Sequence, residues 1–175
     1  MGDTTLEVVD DEKDLGVRID NELKFDKHTE HQVNKANKIL GLIRRSFDHL
    51  DADTFCILYK SLVRPNLEYC NAVTYPQLER QCKLREDVQR RATKMVSELR
   101  DVSYIDRLKK LYLPSFYYRR VRGDIIEAYK YLHGMNKVDP CPLLRDTGER
   151  TRGHGLKLQT RRYNKASHRH FSHLE

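Results

Sequence analysis

Thr29-Glu30-His31-Gln32-Val33-Asn34-Lys35-Ala36-Asn37-Lys38-Ile39-Leu40-Gly41-Leu42-Ile43-Arg44-Arg45-Ser46-Phe47 carries the clearest periodicity in the chain. Val33, Ala36, Leu40, Ile43 and Phe47 fall three and four residues apart, which on a helix makes one apolar stripe. Lys35, Lys38 and Arg45 fall on a different face. Helical spacing continues downstream. Asp51 or Asp53 can cap a second helix. It carries Phe55, Leu58, Tyr59 and Leu62 inward, Lys60 and Arg64 outward, and Pro65 stops it. Residues 66–77 read as a connection. A third helix is expected from about Glu79 to Leu99, with Leu84, Val88, Ala92, Met95 and Leu99 inward and Arg90, Arg91 and Lys94 clustered elsewhere.

Ser103, with Asp106 three residues on, resembles a capping box before Leu108 and Leu111. Pro114 suits the first turn of a long helix to about His133, with Gly134 as its stop. Tyr117, Val121, Ile125, Ala128 and Leu132 form its apolar face, and Arg119, Arg120 and Arg122 crowd its first half. Ahead of the helices, Leu6, Val8, Leu15, Val17 and Ile19 alternate with polar residues around Asp10-Asp11-Glu12. That predicts a short β-hairpin turning at the acids, which needs a helix or a further sheet to cover it. The expected fold is mainly α: a helical bundle with a small N-terminal β-hairpin and a basic C-terminal tail. Its expected parts are a hairpin over 1–26, a helical domain over 27–139 and the tail over 140–175. Residues 145–175 hold 8 basic and 3 acidic residues and four histidines, too few aliphatics to order alone.

The chain's 175 residues allow one domain, or a domain and a tail. No apolar run approaches a membrane span, and no basic segment followed by an apolar stretch marks a signal peptide. No glycosylation sequon occurs. An intracellular protein, nuclear or cytoplasmic, without a membrane partner is expected. Cys56, Cys70, Cys82 and Cys141 form no Cys-x-x-Cys, and Cys56, Cys70 and Cys82 read as semi-buried packing residues. The net charge of +7 conceals an asymmetry: residues 1–32 hold 10 acidic and 4 basic residues, and 33–175 hold 16 acidic and 29 basic. The later part therefore suits a polyanion.

Enzyme chemistry finds no foothold. Asp10-Asp11 lacks a third converging acid for a metal. His28 and His31 read as a solvated face, because no further zinc ligand is near. The histidines 168, 170 and 173 belong to the tail composition. Gly153 and Gly155 around His154 lack the strand and the Lys-Ser/Thr of a phosphate loop. The basic helix faces remain. Lys35, Lys38, Arg45, Lys60, Arg64, Arg90, Arg91, Lys94, Arg119, Arg120 and Arg122 are candidate contacts to nucleic-acid phosphates, with Tyr117, Tyr118 and Tyr129 able to stack or touch sugars.

Several blocks resemble a known family. They are Lys13-Asp14-Leu15-Gly16-Val17, Lys35 to Phe47, Leu58-Tyr59-Lys60-Ser61-Leu62-Val63-Arg64-Pro65-Asn66-Leu67-Glu68-Tyr69-Cys70, Val88 to Lys94, Arg119 to Glu127, and Thr151 to Leu158. In this order they resemble the region downstream of the palm in reverse transcriptases of LINE-type (non-LTR, jockey-like) retrotransposons, from about Leu6 to Phe171. The resemblance implies the edge of a palm followed by a helical thumb that closes on a template–primer duplex. The family's aromatic-Ala-Asp-Asp hairpin is absent, so the implied fragment is no enzyme alone, and the magnesium of catalysis would belong to the missing palm. Its implied partners are RNA or an RNA–DNA duplex and that palm. Thr74 stands where the family often has Trp, and looser packing after the second helix is expected there. The chain ends before the family's usual Trp-Asn-x-Leu-Pro segment, as in a truncated copy. A helical protein-interaction module and a functionless element remnant are the alternatives.

Overall fold

A computed structural model describes residues 9–71, 73–74 and 79–136. Leu6, Val8, Pro76, Cys141, the tail and its histidines lie outside the described residues. The elements run β1 (Asp11–Asp14), β2 (Val17–Asp20), α1 (Asp26–Ser46), α2 (Ala52–Leu58), a π-helical turn (Tyr59–Val63), α3 (Arg64–Glu68), α4 (Glu79–Thr93), a 3₁₀ turn (Ser97–Leu99), α5 (Tyr104–Lys110) and α6 (Phe116–Leu132). The chain is mainly helical with one small antiparallel hairpin. It divides into two compact units, 1–116 and 117–175.

The hairpin turns four residues later than expected. Asp11 and Glu12 lie in β1, paired with Asp20 and Ile19, and the turn is Leu15-Gly16. Both turn residues take positive φ, 45° and 85°, the form that matches the twist of paired strands. Glycine adopts it freely. Leu15 therefore sits at the tip, 84% exposed, rather than inward. Asp20 closes the far end: its carboxylate accepts the N–H groups of Glu22, Lys24 and Phe25 at 3.1, 3.0 and 2.7 Å. Burial opposes its ionisation, yet those N–H groups outweigh it and hold the carboxyl below the usual range.

The helix that covers the hairpin is α1. His28, expected on a solvated face, is only 1% exposed. Its Nδ1 accepts the N–H of Arg18 in β2 at 3.3 Å, whereas His31 is exposed on α1, as expected. Phe25 and Val17 are buried as well. Asp11 joins in from β1, where Arg18 and Lys27 both pair with its carboxylate.

α1, the rod formed by α2, the π turn and α3, and α4 make an up–down–up bundle. Val33, Ala36, Leu40 and Ile43 face inward from α1, as their spacing predicts. Phe47 does not: it caps the helix in extended backbone and is 40% exposed. Asp51 caps α2, accepting the Thr54 N–H at 2.9 Å. Pro65 does not stop the rod, which stays helical to Glu68. Proline in a regular helix clashes with the carbonyl four residues back and removes a bond. Here the helix widens just before it, and the Arg64 N–H reaches the Tyr59 carbonyl five residues back. The wider turn also resets the buried face. Phe55, Tyr59, Val63 and Leu67 are all buried, at a strict spacing of four, whereas Leu62 is 46% exposed. On a regular helix each such step drifts by about 40°, and one extra residue in a turn takes back about 100°.

α4 ends at Thr93 rather than Leu99; a turn and the 3₁₀ segment follow, and Leu99 is buried from there. Val88 and Ala92 are fully buried, and Leu84 and Met95 pack at the margin. A second stripe at spacing four, Gln81, Arg85, Gln89 and Thr93, is polar and equally buried. Each member ties α4 to another segment. Gln81 donates to Lys24 O and to Asp26, and Arg85 to Thr29 and Asn71. Thr93 accepts from the buried Arg107 of α5 at 3.0 Å. Gln89 accepts the Tyr59 hydroxyl at 2.7 Å and donates to Tyr104 and to the Pro114 carbonyl. Glu86 accepts the Tyr104 hydroxyl and the Phe116 N–H. Ser103 caps α5 as expected, accepting the Asp106 N–H at 3.3 Å. Cys56, Cys70 and Cys82 are free thiols, and Thr74 is fully buried with its hydroxyl on the Cys70 carbonyl.

α6 begins at Phe116, two residues after Pro114, and all its later residues belong to the second unit. Tyr117 and Ile125, expected inward, are 66% and 55% exposed. Val121 and Leu132 are half-buried.

Two outcomes are expected. Tyr59→Phe leaves the buried Gln89 oxygen without its donor, and chemical denaturation should show a loss of about 1–3 kcal/mol. His28 is held below its ordinary value of 6.5 by burial, then by the Arg85 guanidinium and by His31. It stays neutral in the fold. Its contribution is therefore full above the unfolded value and drains as pH falls through the lower folded one. The melting temperature should drop as pH falls through and below the ordinary histidine value, and His28→Gln should flatten that drop.

Candidate nucleic-acid interface

α1 and α4 run parallel, offset by 54 to 56 residues. Arg80 reaches Asp26 at 3.3 Å, Arg85 reaches Thr29 at 3.3 Å and Arg91 reaches Asn37 at 3.0 Å. Beyond this seam, on the outer face of α1, Asn34, Asn37, Lys38, Gly41 and Arg45 line a shallow open notch of about 510 Å³. Gly41 lines it without a side chain, between Lys38 and Arg45 in sequence at spacings of three and four. Arg91 is tethered to Asn37.

The candidate cations do not share one environment. Lys35 is exposed on α1 but does not line the notch. Lys60 is exposed on the π turn, whereas Arg64 is half-buried against Glu68 at 3.7 Å. Arg90 and Arg91, adjacent in sequence, part ways: Arg90 lies 4.9 Å from the Tyr104 ring and 3.9 Å from Asp87. Lys94 is exposed in the turn after α4. In the second unit, Arg122 is exposed, Arg119 and Arg120 are half-buried, and Arg120 packs over the Tyr117 ring at 5.6 Å. Of the candidates, Lys38 and Arg45 thus line one concave place, and Arg91 reaches it through its bond to Asn37.

Asn34, Asn37 and Gly41 extend the candidate set. Their signal lies in the spacing: 34, 38, 41 and 45 repeat at four, three and four, opposite the apolar stripe. Elsewhere, burial pushes the Tyr59 and Tyr104 hydroxyls far up, and they serve as neutral donors in the Gln89 network. Among the described residues no cluster of His, Cys, Asp or Glu is grouped to hold a metal ion, and no helix is long and apolar enough to cross a membrane. No family model, curated protein or solved structure matches this chain.

Proposed function

We propose that this chain is a fragment of a LINE-type reverse transcriptase, the helical thumb-like region after the palm, which grips nucleic-acid backbone without polymerase activity of its own. One observation supports the grip above the others: Lys38 and Arg45 line a notch that holds two carboxamides and, among the described residues lining it, no acid, and Arg91 is bonded to one of those carboxamides, Asn37. Cations and amides on an open helix face suit phosphate and sugar oxygens, and they carry no base-reading geometry. The acids at the hairpin do not compete for this role. Asp11 is engaged by Arg18 and Lys27.

The full chain should bind a labelled RNA–DNA duplex, measured by fluorescence anisotropy, with an affinity that falls steeply with salt. Replacing Lys38, Arg45 and Arg91 by Ala should reduce the log–log salt slope by about 0.7–0.9 for each phosphate no longer neutralised, equally for all sequences. Binding that ignores salt, or no binding below micromolar protein at low salt, overturns the proposal. A changed sequence preference in the triple variant overturns the backbone grip.

A second reading draws on α6, where Tyr117, Tyr118, Ile125 and Tyr129 are exposed. A protein-interaction module would use them, and capture of a partner that survives nuclease and high salt would favour it.

A further inference from the structure

Gly41 has no internal reason to be glycine. It lies inside α1, where glycine is less stable than alanine by about 1 kcal/mol. Its backbone is ordinary right-handed helix, so no positive φ requires it. A Cβ built there would meet only the Arg45 Nη1 atom, at 4.0 Å, the far end of a flexible side chain. Packing within the chain would therefore accept alanine. The bare position lines the notch, and the cations Lys38 and Arg45 stand on either side in sequence. Two further poor helix formers, Asn34 and Asn37, line the same notch. Asn37 keeps its oxygen on Arg91, and its N–H₂ is a separate donor on the same notch-lining side chain.

We infer that Gly41 is a close-approach point: a nucleic-acid strand lies with its sugar–phosphate backbone directly on α1 there. Lys38, Arg45 and Arg91 neutralise its phosphates, and the Asn37 amide donates to it. A side chain at position 41 would lift the strand away from all of these groups at once. The inference rests on the backbone grip proposed above and names the residue that sets its depth.

The test compares the wild-type chain with Gly41→Ala and Gly41→Leu against a labelled RNA–DNA duplex, together with thermal melts of each. Gly41→Ala should melt higher than wild type and yet bind at least about fivefold more weakly, and Gly41→Leu more weakly still. The salt slope of Gly41→Ala should stay within about one phosphate of the wild-type value, because no charge is removed. Equal affinity in all three proteins overturns the inference while leaving the grip intact. A lower melting temperature in Gly41→Ala also overturns it, since the glycine would then serve internal packing. Absence of binding by the wild-type chain overturns the grip and this inference together.

Discussion

The Gln89 carboxamide is the constraint on which the first unit depends. It sits in the C-terminal half of α4, 1% exposed, and uses its oxygen and its nitrogen on three separate segments. A buried amide without partners is costly, so these segments must all arrive in one relative position. Apolar contacts between the helices could slide by a turn at little loss. The chain of Tyr59, Gln89, Tyr104 and Glu86 cannot. Apolar burial supplies the drive, while this polar chain supplies the register.

That division explains what could be read from the residues alone. The apolar stripe of α1, the caps at Asp51 and Ser103, and the mainly helical class follow from local rules, because helix period and capping act over a few neighbours. The polar stripe of α4 was hidden. Gln81, Arg85, Gln89 and Thr93 have the composition of a solvated face, and only partners distant in sequence, such as Tyr59 and Asn71, make that face internal. His28 was hidden for the same reason, since its acceptor role is set by a strand ten residues earlier. Pro65 misled in the opposite direction. The rule for proline in a regular helix holds, and the chain satisfies it by not being regular there.

The cation-bearing helix faces were legible in kind and not in place. Charge asymmetry pointed to helix faces with excess Lys and Arg, and α1 does display Lys38 and Arg45 together. Helical phase alone could not foresee that Arg90 would turn to Tyr104 while Arg91 turned to Asn37. Nor does a search for cations find a notch that is lined in part by a residue without a side chain.

The parallel course of α1 and α4 has an electrostatic effect of its own. Two helices pointing the same way bring both carbonyl-rich ends to one end of the bundle, each worth roughly half an elementary negative charge. Arg44, Arg45, Arg90 and Arg91 occupy the last turns of those helices. Part of their positive charge is therefore spent locally against the two macrodipoles. The far field at this end is weaker than the arginine count suggests, so an approaching polyanion is guided only feebly from a distance and is held mainly once it touches.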